Sequence, residues 1–174
     1  MRKKRLLQLT AALLCAVILS ACGGAPADAD YTCTVSISCA TILDNMDQCA
    51  ESKKELVPAD GVILPPTEVA FAEGESAFDV LQRVCRDNGI HLESKFTPVY
   101  NSAYIQGIHN IYEFDVGKLS GWMYAVNDWF PNYGCSLYQV QDGDVIRWVY
   151  TCDLGADVGG GQAAGGGQQE GAST

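Results

Sequence analysis

The sequence predicts an α+β domain in which one helix packs on a mixed sheet. Three observations carry that expectation. Residues 33–39 alternate cleanly between apolar and polar, residues 76–89 hold the one well-capped amphipathic helix pattern, and short strand-like runs bounded by turn residues follow the helix. The order is thus two extended runs, a helix, then several strands. With 48% apolar residues in 174, the chain can bury a real core.

In chain order, residues 1–21 read as an export signal. Arg2, Lys3, Lys4 and Arg5 form a positive start, and Leu6 to Leu19 supply an apolar stretch interrupted by Gln8 and Thr10. That stretch is short for a membrane span, which needs ~20 apolar residues. It ends in Leu19-Ser20-Ala21-Cys22, followed by Gly23-Gly24. The run resembles a bacterial lipobox, which implies cleavage before Cys22 and lipid on the new N-terminal cysteine. Each buried acyl CH₂ contributes ~0.8 kcal/mol, so several chains on one residue would anchor the protein firmly. The expected location is the cell membrane, on its extracytoplasmic side. Residues 22–30 are small, polar and acidic, a flexible tether.

The domain proper is expected over residues 31–154. Cys33, Val35, Ile37 and Cys39 share one strand face, and Thr32, Thr34, Ser36 and Ser38 the other. Asp60-Gly61 opens a second extended run, Val62 to Phe71, whose Pro65-Pro66 make its early part irregular or an edge. Ser76 and Asp79 then form a capping box with Asp in the usual Glu place. Ala77, Phe78, Leu81, Val84 and Cys85 make an apolar stripe, and Asn88-Gly89 stops the helix. Strands are expected around Leu92–Phe96, Tyr104–Ile108, Trp122–Val126 and Val145–Cys152, the last set off by the turn Gln141-Asp142-Gly143-Asp144. In that strand Ile146, Trp148 and Tyr150 fall on one face. Residues 155–174, with eight Gly in 20, are expected to be disordered.

Charge narrows the function. Of 11 Lys and Arg, four leave with the signal, so 7 stand against 21 Asp and Glu and the mature net charge is −14. Nucleic-acid affinity comes mostly from cations displacing counterions, so no nucleic-acid partner is expected. Six cysteines remain in the domain, at 33, 39, 49, 85, 135 and 152. An even count in an exported chain favours three bridges, with fifteen pairings open. Cys33 and Cys39 cannot pair with each other, because six residues of strand separate them by about 20 Å. No two cysteines stand in a C-x₂-C arrangement and neither His91 nor His109 has a metal-spaced partner, so no metal site is expected. There is no G-x-S-x-G elbow, no S-x-x-K and no phosphate-cradling loop. Asp142 and Asp144 read as turn chemistry, where Asp bonds nearby backbone. The expectation is a non-enzymatic protein without a cofactor.

Aromatic density near the C-terminus points to binding. Residues 121–135 hold Trp122, Tyr124, Trp129, Phe130 and Tyr133. A single strand cannot bury them all, since alternate side chains face opposite sides. Trp129, Phe130 and Tyr133, in the loop, are therefore expected to be partly exposed and to bind ligand together with Tyr124. A second small core beneath a long loop is the alternative.

Several motifs carry a family resemblance: Tyr104-Ile105-Gln106-Gly107-Ile108, Ser120-Gly121-Trp122-Met123-Tyr124 with Val126-Asn127, and Asp142-Gly143-Asp144-Val145-Ile146 with Trp148 and Tyr150. With the helix entry Glu73–Leu81, they make the chain from about Cys33 to Thr151 resemble the transcobalamin-like C-terminal domain family. Asp128 departs from it, standing where many members have Gly. The resemblance implies a β-grasp-like fold with its first and last strands parallel neighbours. It further implies the disulfide pairs Cys33–Cys135, Cys39–Cys152 and Cys49–Cys85, and binding of a small ring-bearing molecule such as a corrinoid, taken as a ligand and not a cofactor. A cell-surface structural or adhesion module binding protein or glycan is the alternative. The acidic chain favours a neutral or cationic ligand unless Lys118 or Arg147 lies close to the site.

Overall fold

The computed structural model describes residue 26 and residues 29–160. The expected signal segment 1–21, Cys22, most of the tether 22–30 and residues 161–174 lie outside the described residues. No described helix is long and apolar enough to cross a membrane.

Alternation in the first run produces β1 (Tyr31–Ser38), with Cys33, Val35 and Ile37 buried. A 3₁₀ turn over Ala40–Asn45 and another over Glu51–Leu56 lead to β2 (Val62–Phe71), which pairs antiparallel with β1. The register shifts between Val35 and Ile37, opposite the Pro65-Pro66 stretch. A proline lacks the N–H that a ladder needs, and β2 is accordingly an edge strand. Helix α1 (Ala77–Asp87) follows, with Ser76 and Asp79 closing the capping box reciprocally and Asn88 at its end. Its buried face comprises Ala77, Val80, Leu81, Val84 and Cys85, joined by Arg83, whose guanidinium bonds Glu75 (2.6 Å) and the Ala70 carbonyl (2.8 Å).

The later strands are β3 (Leu92–Thr97), β4 (Ser102–Ile108), β5 (Ile111–Tyr112), β6 (Gly121–Val126) and β7 (Val145–Thr151). They divide between two sheets, one of order β2-β1-β7-β6 and one of order β3-β4-β5. This corrects the expectation of one mixed sheet. The parallel pairing of β1 with β7 agrees with what the resemblance implied. The buried face of the large sheet, α1 and β4 share one hydrophobic cluster, in which Trp148, Tyr150, Phe71 and Ile37 are fully buried. Ordered chain also runs past Leu154. Residues Ala156–Val158 form a 3₁₀ turn, and Gly160 lies against Phe130 and Met123.

The six cysteines of the described residues are free thiols, five buried and Cys152 half-buried. The expected staples Cys33–Cys135, Cys39–Cys152 and Cys49–Cys85 are not formed in this structure. Surroundings differ within two of the pairs. The charges of Arg83, Asp144 and Glu75 act on Cys33, whereas Asp79 is the charge acting on Cys135. The charges of Asp115, Lys54 and Glu51 act on Cys49, and Cys85 is sunk in the apolar face of α1. Cys152 does lie near Cys39, but its thiol bonds Thr41 Oγ1 at 3.8 Å. Burial disfavours thiolate and pushes Cys39, Cys85 and Cys135 up to about 12 and Cys33 to about 11. Burial, not covalent closure, joins these cysteines to the core.

Candidate functional site

Local turn chemistry sets the site. β6 ends in a two-residue turn at Asn127-Asp128, closed by hydrogen bonds between Val126 and Trp129 (2.8 and 2.9 Å). Both turn residues have positive φ, 50° and 66°, the conformation that the tightest hairpin turns require and that Gly adopts most cheaply. That is the physical sense of the departure at Asp128. Its carboxylate pairs with Arg147 at 2.9 Å. The Asn127 amide donates to Asp144 (2.8 Å) and its carbonyl accepts from the Val145 N–H (2.9 Å). Asp144 also accepts from Tyr138 OH and the Gln141 N–H, and Asp142 accepts from the Thr32 N–H. These two carboxylates fix the turn and the strand ends beside it.

Beyond the turn, residues 131–136 lie against the start of β4. Ser136 Oγ bonds both Ser102 Oγ (2.7 Å) and the Ala103 N–H (3.0 Å). Gly134 permits this approach, since a Cβ there would stand 1.9 Å from Ser102 Oγ. Tyr124 OH donates to the Tyr133 carbonyl (2.9 Å) and pins the loop from the core side. Across from the loop, the turn joining β3 to β4 carries Tyr100, with Asn101 at positive φ.

Between the two lies a cleft of about 330 Å³, lined by Thr97, Tyr100, Ser102–Tyr104 and Pro131–Gly134. No charged side chain lines it. Tyr104 OH donates to Glu113 at 2.5 Å, and burial, with this carboxylate second, pushes the phenol up to about 12. A second depression of about 340 Å³ is lined by Tyr31, Phe71, Glu73, Gly74 and Gln139–Asp142. It brings acidic and amide groups together beside the rings of Tyr31 and Phe71, so unlike the first cleft its lining carries negative charge.

The four expected binding residues separate. Trp129 is 52% exposed, Tyr133 is 39% exposed, and their rings meet edge to face at 5.9 Å. Tyr133 lines the cleft, with Trp129 packed on it. Phe130 is 7% exposed and is core, against the expectation, because Gly160 folds back over it. Tyr124 is buried as well, stacked on Trp148 at 5.5 Å, and supports the site from behind. Tyr100, 73% exposed, and Tyr104 escaped sequence reasoning as binding residues. The signal available was the aromatic run Phe96-Thr97-Pro98-Val99-Tyr100 in a short hairpin of exposed side chains. His91 lies 6.2 Å from the Tyr112 ring and His109 occupies the turn after β4, both away from the cleft lining. No group of His, Cys, Asp and Glu suited to a metal ion occurs among the described residues. Arg147 faces Asp128 and does not line the cleft.

Residues 74–152 match the family model described as a domain of unknown function, DUF4430. No curated protein matches the chain. The fold is similar to part of haptocorrin, in its crystal structure in complex with Cbi, with a TM-score of 0.52 and 12% identity. That similarity covers 71% of this chain and 25% of the haptocorrin chain, so the chain spans about a quarter of its length. At this identity the likeness is one of fold. A structure from Ruminococcus gnavus ATCC 29149 is similar over 70% of this chain and 97% of that one, at 15% identity and a TM-score of 0.41.

Proposed function

We propose that the cleft between the β3–β4 turn and residues 131–134 binds a neutral or cationic small molecule bearing a ring. The observation that carries this reading is the uncharged cleft itself, walled by Tyr100, Tyr104 and Tyr133 and braced by Tyr124 and Gly134. Small-molecule sites are mostly apolar and aromatic, with few polar groups. Bracing lowers the entropy lost on binding, because the walls are already in place. The absence of cations from the lining disfavours an anion, as does the acidic mature chain. The volume lies at the low end of the roughly 300–1,000 Å³ typical of ligand sites, enough for a small ring system or the rim of a larger one. A corrinoid would enter by its edge, and the fold similarity to haptocorrin keeps it the first ligand to try.

The protein is further proposed to work outside the cytoplasm, held to the membrane by lipid on Cys22. The basic start, the apolar stretch and Leu19–Cys22 support that placement. Cys22→Ala should release the protein from membranes or stall its processing; unchanged fractionation and migration would remove the anchor from this account.

Titration with a corrinoid, followed by tryptophan fluorescence, tests the ligand class, with Trp129 beside the cleft as reporter. Saturable quenching at micromolar ligand supports it. Tyr133→Ala and Tyr100→Ala should each weaken binding by about 1–3 kcal/mol. The exposed Phe96, Val99, Tyr100 and Trp129 favour the second reading, a patch for protein or glycan. No quenching by corrinoid, together with saturable binding of an envelope glycan or protein lost in the same two variants, would put that reading first.

A further inference from the structure

The second depression, of about 340 Å³, matches the cleft in size and differs from it in chemistry. One wall is built where β1 begins and β2 ends. Tyr31 and Phe71 face each other across that pair, with their rings 5.7 Å apart and inclined at 33°. Phe71 is fully buried, whereas Tyr31 keeps 38% of its surface exposed. A second wall is residues 139–142, the segment that leads into β7. Glu73 joins the lining from the turn Ala72–Glu75, which the Glu75 N–H closes on the Ala72 carbonyl (3.2 Å) with Gly74 at a positive φ of 84°.

Backbone bonds tie these segments together. The Gly143 N–H donates to the Thr32 carbonyl (2.8 Å), the Thr32 N–H to Asp142 Oδ1 (3.0 Å) and the Val140 N–H to the Glu75 carbonyl (2.9 Å). The depression is therefore built into the fold, and such preorganisation lowers the entropy lost on binding. Two carboxylates, Glu73 and Asp142, line it, and no Lys, Arg or His does. Neither carboxylate is in an ion pair among the described residues. That lining repels anions and attracts cations. A bare divalent ion suits it poorly, because calcium takes six to eight oxygen ligands and no group of three metal-suited side chains occurs among the described residues. The Tyr31 ring points instead to an ammonium, since an aromatic face attracts such a cation and offers its alkyl groups apolar contact.

We propose that this depression is a second binding site, for a small organic cation of the tertiary or quaternary ammonium kind, its charge met by Glu73 and Asp142 and its alkyl groups by Tyr31. The inference is independent of the reading of the first cleft. Both carboxylates are exposed, so water and salt screen them. A ligand held here exchanges freely and is not retained through purification.

Choline tests it against its uncharged carbon isostere, the dimethylbutanol that carries a tert-butyl group in place of trimethylammonium. Each is titrated into the ¹⁵N-labelled full chain. Choline should shift the backbone amides of Gly74 and Gly143, bind about tenfold more tightly than the isostere, and weaken as salt is raised. Glu73→Gln and Tyr31→Ala should each weaken choline several-fold, while Tyr133→Ala in the first cleft leaves it unchanged. Glu73 is an exposed turn residue, so its variant keeps the fold and decides the matter even if Tyr31→Ala folds poorly. Equal affinities for the two probes, or choline shifts confined to residues 132–134, would overturn the site. Calcium moving Gly74 and Gly143 where choline does not would overturn its assignment to an organic cation. None of these outcomes touches the first cleft, whose own test reads Tyr100 and Tyr133.

Discussion

Phe130 and Tyr133 stand three residues apart and have different work. Phe130 sits beneath Gly160, so Phe130→Ala removes core and should cost about 3–5 kcal/mol of stability, read as a lowered thermal midpoint. Tyr133→Ala should leave that midpoint nearly unchanged and weaken ligand instead. If the two variants lose stability equally, Tyr133 is core and the cleft has lost a wall. Gly134→Ala should do both kinds of damage, because the new methyl meets the buried Ser102 hydroxyl and must push the loop away from β4. About 1–3 kcal/mol of overpacking is expected. Undiminished ligand binding by a folded Gly134→Ala protein would show that the loop's approach to β4 is not what shapes the cleft. At this scale the sequence revealed the exposure of Trp129 and Tyr133, since one strand cannot bury every aromatic. It did not reveal the burial of Phe130, whose cover arrives from thirty residues downstream.

The elements were legible where their signals are local. The capping box at Ser76 and Asp79, the stripe of α1 and the alternation of β1 all depend on residues within a few positions of one another. Ser76→Ala removes the acceptor of the Asp79 N–H and should lower stability by about 1 kcal/mol. A thermal midpoint indistinguishable from the parent's would mean that the cap contributes nothing. What local signals could not give is partnership. Whether β4 joins β7 or forms its own sheet with β3 and β5 depends on register and closure between distant segments, and β5 has only two residues to announce it. The cleft belongs to this illegible class. Its walls come from the β3–β4 turn and from residues 131–134, about thirty positions apart, and contacts such as the stitch of Ser136 to Ser102 and Ala103 bring them together.

Across the whole molecule, burial of unbridged thiols makes stability depend on pH. Cys39, Cys85 and Cys135 are raised from 9.0 to about 12 in the fold, chiefly by desolvation. Tyr104 is raised from 10.0 to about 12 by the same cause, with Glu113 adding. Folded protein therefore keeps protons that the unfolded chain gives up. The stability they contribute is fully present below pH 9 and is lost progressively as pH rises toward 12. Under reducing conditions the thermal midpoint should be level with respect to these groups from pH 7 to 9 and fall steeply above; a midpoint unchanged up to pH 11 would contradict free buried thiols. The same molecule-wide view joins a strongly acidic chain to a cleft with no charge in its lining, and from that pairing comes the claim that the ligand is neutral or cationic and bears a ring. Mass spectrometry of small molecules retained by the native protein, compared with a Tyr100→Ala, Tyr133→Ala double variant that remains folded, tests this most directly. The account predicts a neutral or cationic, ring-bearing species held by the parent and absent from the variant; an anionic or acyclic species, or no difference between the two proteins, would contradict it.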